Sequence, residues 1–154
     1  IRRMERPQLP KADLNVLSKA FQEPYIEDDI LFVHLKELTR EDIVPYIADF
    51  CLEVEGIEWA FVSGIYNDNL VVSIRNYGYT RSAGELIRNA FSTYGSAGGH
   101  RSMAKAVIPL ATLEEKQIKD LKKFVRAQFL LAYRDELKSN PPPRPPIKNG
   151  EKES

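Results

Sequence analysis

Two strand-like runs, residues 59–66 and 70–75, are separated only by Asn67-Asp68-Asn69. Asn and Asp tolerate positive φ, so these three residues are expected to form a three-residue hairpin loop between antiparallel strands. The rest of the chain has to be arranged around that pair. Side chains alternate along a strand, which puts Ser73 and Arg75 on one face of the second run. Upstream, residues 30–35 (Ile-Leu-Phe-Val-His-Leu) read as a mostly buried strand, because the run is short and rich in β-branched and aromatic residues. A helix to about Glu53 connects it to the hairpin. Thr39 and Asp42 have capping-box spacing, with Asp in place of the usual Glu or Gln. Pro45 is compatible only with the first turn, which makes Asp42 the alternative cap. Ile43, Ile47, Phe50 and Cys51 form the apolar side of this helix, and Gly56 stops it.

The remaining segments follow the same logic. Residues 12–21 predict a short helix with Leu14, Leu17 and Phe21 on one side and Pro24 just past its end. Ser82 and Glu85 make a full capping box, so a helix begins at Ala83, with Leu86, Ile87, Ala90 and Phe91 on its apolar side and Gly95 after it. The glycine-rich stretch 95–100 follows, then one expected helical turn over 101–105. Residues 106–110 predict a short strand that Pro109 confines to an edge or a strand end. Thr112 and Glu115 have capping-box spacing, and a long helix is expected over 113–138, with Ile118, Leu121, Val125, Leu130 and Tyr133 among its apolar positions.

The order of elements predicts an α/β fold, a small mixed β-sheet flanked by helices with a long C-terminal helix. Its 154 residues suit one domain, since a chain of this length buries about 68–70% of its unfolded surface. Residues 1–10 read as the end of a linker, 11–28 as a connector helix, 29–139 as the folded domain and 140–154 as a proline-rich tail. The Pro-Pro-Pro-Arg-Pro-Pro run favours extended polyproline II. No apolar run approaches the roughly 18 residues of a membrane span. The first residue is Ile and no signal or transit pattern follows it, so the expectation is a cytoplasmic fragment of a longer chain.

The formal net charge of zero hides an uneven distribution. Residues 22–58 hold eleven acids against two bases, Lys36 and Arg40. Residues 70–110 hold five bases (Arg75, Arg81, Arg88, Arg101, Lys105) against Glu85 alone, and five of the eight glycines. A basic, glycine-rich stretch is where an anionic ligand is expected, although a solvated face with ordinary turns has the same composition. Other chemistries are poorly supplied. The lone cysteine, Cys51, excludes an internal disulfide and lies on an apolar helix face. Of the two histidines, His34 sits mid-strand and reads as structural. The chain has no His-Glu-x-x-His, no glycine-flanked nucleophilic serine and no Gly-x-x-x-x-Gly-Lys loop.

That leaves the segment at 95–105. Glycines let a backbone curl so that consecutive amides, here around Gly98 and Gly99, face one anion-binding hollow. A helical turn from Arg101 would add its amino-terminal dipole. His100 can donate to a phosphate oxygen, and Arg75 can supply a bidentate fork if its strand lies beside the loop. Each element alone is equally an ordinary turn.

Gly98-Gly99-His100-Arg101-Ser102-Met103-Ala104 resembles the Gly-Gly-His motif of the DHH-associated domain, the C-terminal half of the DHH phosphoesterase superfamily. Val72-Ser73-Ile74-Arg75 resembles the family's Ser-Leu-Arg-Ser strand, with Asn76 replacing the last serine. The likeness spans about residues 29–110, and its nearest branch is the oligoribonuclease and phosphoadenosine-phosphate phosphatase branch. The resemblance implies a substrate-gripping half, with Gly98 and Gly99 as backbone cradle, His100 and Arg75 on phosphate and Ser73 on the matching strand; Arg101 and Lys105 are further candidate contacts by charge and position only, since neither is a fixed residue of the family's pattern. It implies that the catalytic metal pair, usually manganese, belongs to an N-terminal half carrying Asp-His-His, a triplet that occurs nowhere in these residues. Where the family commonly continues Ala-Ala-Gly, this chain has Ala104-Lys105-Ala106.

Two functions are therefore expected as alternatives. The first is the substrate-binding part of a phosphoesterase hydrolase acting on short oligoribonucleotides or nucleoside bisphosphates, not catalytically competent alone. Its partners would be a short RNA, DNA or nucleotide ligand and the N-terminal DHH domain, with a homodimer left open. The second is a non-catalytic RNA-binding module like that attached to alanyl-tRNA synthetases, tracking a backbone with Lys116, Lys119, Lys122, Lys123 and Arg126.

Overall fold

A computed structural model describes residues 8–77 and 81–139; the proline-rich tail lies outside the described residues. The elements are α1 (Lys11–Gln22), β1 (Tyr25–Glu27), β2 (Ile30–Glu37), α2 (Ile43–Leu52), β3 (Trp59–Tyr66), β4 (Asn69–Asn76), α3 (Ala83–Phe91), β5 (Ser96–Gly99), β6 (Met103–Pro109), α4 (Glu115–Lys119) and α5 (Leu121–Ser139). One turn of 3-10 helix, Leu110–Thr112, precedes α4. The strands form one six-stranded sheet in the order β1-β2-β3-β4-β6-β5. Only β2 and β3 run parallel, joined by the α2 crossover; the other neighbours are antiparallel. This is the α/β architecture the element order implies.

The hairpin is tighter than its sequence suggests. Asn69 joins β4, opposite Tyr66, so the loop is only Asn67-Asp68. Both residues have positive φ, 51° and 60°, which is the two-residue geometry that matches strand twist.

Alternation along the central strands feeds two cores. Phe32, Trp59, Phe61, Leu70, Val72, Ile74, Ala104, Ala106 and Ile108 face α3 and α5. Leu31, Val33, Leu35, Ala60, Val62 and Val71 face α1 and α2. Phe129 of α5 is fully buried at the centre of the first core, its ring 5.0 Å from Phe61 and 6.0 Å from both Phe32 and Trp59. A ring buried this way contributes about 1.5–3 kcal/mol by area removed from water. In the second core Cys51 is fully buried, and burial pushes its thiol pKa up to about 12. The thiolate needed for covalent chemistry is therefore suppressed.

Several local expectations are corrected. Residues 25–27 form a strand on the outer side of β2. In α1 only Leu17 of the expected apolar side is buried, while Leu14 is exposed. Asp13 is buried in its place, accepting from the backbone N–H of Thr39 at 3.2 Å and its hydroxyl at 2.6 Å. Thr39 is thereby taken from α2, whose cap position is Asp42, and Pro45 sits in the first turn as it must. Phe50 stays largely exposed, edge-on to Phe21 at 5.9 Å. The long C-terminal helix is broken at Asp120, whose φ of −140° is not helical. Glu114 and Gln117, rather than Thr112 and Glu115, form the capping box there. Thr112 instead donates its hydroxyl to the carbonyls of Pro109 and Tyr94, and Ile118 is exposed. The cap at α3 is as expected, with Ser82 Oγ accepting from the Glu85 N–H at 3.3 Å.

Candidate functional site

The glycine stretch is a strand rather than a curled loop. Residues 96–99 form β5, at the edge of the sheet, and residues 103–109 form β6. Only Arg101-Ser102 turn between them, closed by the N–H of His100 donating to the carbonyl of Met103 at 2.7 Å. The helical turn expected over 101–105 is absent, and with it the expected dipole at Arg101. An extended backbone also sends consecutive amides to opposite edges, so Gly98 and Gly99 do not build one hollow of converging N–H groups.

The glycines have different reasons to be there. A Cβ on Gly99 would lie 2.4 Å from the Met103 carbonyl oxygen and 2.5 Å from Ala104 Cα. A Cβ on Gly84, in the first turn of α3, would meet the Gly99 carbonyl oxygen at 2.6 Å. Gly99 lets the two hairpin strands close on each other, and Gly84 lets α3 sit directly on the hairpin. The carbonyls of Arg101 and His100 then take the N–H groups of Ala83 and Gly84, each at 2.8 Å, so α3's first amides are spent on protein. Gly98 is otherwise. A Cβ there would find only Arg88 Nη1, at 3.7 Å. The fold leaves that position open.

Register then aligns the candidate residues. Ser73 pairs with Lys105, and Lys105 with Gly98. Arg75 pairs with Met103, and the β5–β6 register continued through the His100–Met103 hydrogen bond sets His100 opposite Met103. Directly paired residues share a face, so Ser73, Arg75, Lys105, Gly98 and His100 all belong to the α2 side of the sheet. Arg75 and the β5 strand are two strand spacings apart, about 10 Å. His100, Arg101 and Lys105 are exposed, whereas Ser73 is 2% exposed and lies beneath that surface.

In the free chain both basic side chains of this row already hold carboxylates from the α2 segment. Arg75 Nε donates to Asp49 Oδ1 at 2.5 Å, with the arginine side chain 14% and the aspartate 64% exposed. Lys105 is paired with Glu41. The acid-rich and base-rich halves of the sequence are thus folded against each other. The same segment supplies Glu23 to Lys122 and Glu27 to Arg134 on α5. Sequence reasoning missed Asp49 and Glu41 as parts of the site. The charge segregation was the available signal, but it does not say which acid meets which base.

The family model described as the DHHA1 domain matches residues 27–130. The chain belongs to the DHHA1 domain family. DHHA1 is the accessory domain of DHH phosphoesterases, and the six-stranded sheet with its Gly-Gly-His hairpin is how this DHHA1 domain is built. An uncharacterized protein of Methanocaldococcus jannaschii is 32% identical over 124 residues, covering 79% of this chain and 25% of the relative. An exopolyphosphatase-related protein from Bacteroides fragilis shares the fold, with a TM-score of 0.50, 13% identity, and coverage of 82% of this chain and 37% of that one. The C-Ala domain of Aquifex aeolicus alanyl-tRNA synthetase matches with a TM-score of 0.48 and 16% identity, covering 67% of this chain and 97% of that one. The chain thus spans about a quarter of the length of the curated relative it matches.

Among the described residues no three of His, Cys, Asp and Glu gather into a set that could hold a metal ion. The described side chains therefore do not fit a manganese pair. No described helix is long and apolar enough to cross a membrane.

Proposed function

We propose that this DHHA1 domain is the substrate-gripping part of a metal-dependent DHH phosphoesterase that acts on short oligoribonucleotides or nucleoside bisphosphates. The metal pair, expected to be manganese, and the Asp-His-His ligands would belong to a DHH half outside these residues. The observation that carries the reading is the register that sets Arg75, Lys105, Gly98 and His100 on one face at one corner of the sheet. The β4 and β5 backbones lie about 10 Å apart with β6 between them, which suits a phosphate lying over β6 and gripped by the guanidinium from one side and the imidazole from the other. Gly98, on β5 opposite Lys105, leaves the ligand room to approach the edge strand. Lys105 adds charge without a fixed direction. Ser73, being buried, supports the row from below. Arg101 is assigned to the hairpin turn, where its carbonyl caps α3.

Isothermal titration of the chain with a dinucleotide and with phosphoadenosine phosphate tests this reading. Saturable binding is expected, weakened by Arg75→Ala and by His100→Ala. Unchanged affinity in both variants overturns it. The alternative, a non-catalytic RNA-binding module like that attached to alanyl-tRNA synthetases, would present its basic residues from two helices, because the expected single helix is broken at Asp120. Lys116 and Lys119 fall on α4 and Lys122, Lys123 and Arg126 on α5, where Lys122 pairs with Glu23 and Arg126 stacks on Tyr25 at 3.9 Å.

A further inference from the structure

The other edge of the sheet carries a second basic site, independent of the row around Arg75. Strand β1 covers only the first part of β2, pairing Tyr25, Ile26 and Glu27 with Phe32, Leu31 and Ile30. Beyond it the end of β2 is open. A cleft of about 420 Å³ lies there, lined from α1 by Lys19, from its C-cap by Glu23, from β2 by His34 and Lys36, and from α5 by Lys122. Three ammonium groups on three separate elements thus share one hollow with one carboxylate, which lies 3.4 Å from Lys122. Among the described residues Lys19 and Lys36 have no carboxylate partner. Like charges brought together in this way repel unless an anion joins them.

Two local features show that the cleft is built. The β2–β3 register shifts between His34 and Glu37, and within that irregularity Lys36 has a φ of 57°. Lysine has no local reason to adopt the left-handed region, and bulges commonly re-aim a side chain next to a site. Here the bulge delivers Lys36 to the cleft wall. Next to it, His34 Nδ1 is 2.7 Å from Ser63 Oγ, and Ser63 is only 1% exposed. That bond anchors the ring and leaves Nε2 as its remaining polar atom. Burial first, then the charges of Lys122 and Lys36, push the imidazole pKa down to about 4, with Asp120 opposing. The two lysines therefore act on the imidazole.

We propose that this cleft binds a small phosphate-bearing molecule, with Lys19, Lys36 and Lys122 neutralising the phosphoryl oxygens and His34 donating through Nε2. A compact group with two negative charges matches three ammoniums offset by Glu23. Binding would reverse the electrostatics at His34, because a dianion among the lysines favours the imidazolium. The groups that face the ring are Lys19 from α1, Glu23 just after it, Tyr25 from β1, Lys36 from β2, Asp120 just before α5, and Lys122 and Arg126 on α5.

The test is NMR of the imidazole C2–H resonances in the whole chain, titrated with inorganic phosphate, pyrophosphate and adenosine monophosphate at low ionic strength. The three probes separate a bare phosphoryl group from a nucleotide as its source. A saturable change at His34 is expected, with its titration midpoint raised by about one pH unit or more, a tenfold shift in the proton equilibrium. Lys36→Asn, which suits the left-handed backbone, and Lys122→Gln should each weaken binding about tenfold, or roughly 1.4 kcal/mol of lost contact. If none of the three anions moves the His34 midpoint, or if they move it equally in the double variant, the proposal fails. His100 reports on the Arg75 row in the same spectra, so the two sites succeed or fail separately.

Discussion

Asp49→Asn should tighten nucleotide binding at the Arg75 row. In the free chain the Arg75 guanidinium is held by the Asp49 carboxylate at 2.5 Å, and an incoming phosphate has to replace that partner. The magnitude follows from exposure. The arginine side chain is 14% exposed but the aspartate is 64% exposed, so the pair is strongly screened and belongs with surface ion pairs, worth about 0.2–1 kcal/mol. Removing the competitor should therefore improve Kd by about 1.4- to 5-fold. Loss of the carboxylate also removes repulsion of a dianion, which places the expectation toward the upper end. The assay is titration of wild type, Asp49→Asn, Arg75→Ala and the double variant with one dinucleotide at fixed low ionic strength, since salt screens all these terms. In the cycle, the gain from Asp49→Asn should disappear when Arg75 is alanine. If the gain persists without Arg75, or if Asp49→Asn weakens binding, then Asp49 is not a competitor for the phosphate and the assigned grip is wrong.

Two further outcomes follow from the same geometry. Gly95→Ala should destabilise the fold by about 2–3 kcal/mol in urea unfolding, because its Cβ would lie 2.2 Å from the Val107 carbonyl oxygen and 2.9 Å from Ile108 Cα, both backbone atoms that cannot step aside. Gly98→Ala, meeting only Arg88 Nη1 at 3.7 Å, should stay within about 0.5 kcal/mol of wild type yet lose nucleotide affinity. Stability in phosphate-free buffer should also fall as pH drops from about 6.5 to about 4. Burial keeps His34 neutral in the folded state, while the unfolded chain takes up its proton at the ordinary value. His34→Gln should flatten that window by up to about 3 kcal/mol, and parallel pH profiles for the two proteins would refute the burial argument.

Much of the fold is legible in the order of residues because its signals are local. Asn67-Asp68 accept positive φ by themselves, Ser82 caps α3 with its own side chain, and alternation in β3 and β4 is a property of extended chain. The same alternation put Ser73 and Arg75 on one face before any partner strand was known. What stayed hidden depended on partners far away in sequence. Asp13 is buried because Thr39 donates to it, and Phe50 is exposed although its spacing reads as core. Residues 98–100 look like a flexible phosphate loop in isolation, but opposite residues 103–105 they are held extended, since a strand's conformation is set by what it pairs with.

The sequence by itself determined an α/β domain with a hairpin at its centre, a Gly-Gly-His motif, and acids and bases separated into different stretches. Only the tertiary structure decided that Arg75, Lys105, Gly98 and His100 share a face, that Asp49 and Glu41 already hold two of them, and that three lysines meet around His34. The physical reason is reach. Caps, turns and alternation are settled within a few residues, whereas cross-strand register and charge pairing join groups tens of residues apart and exist only once the sheet has closed.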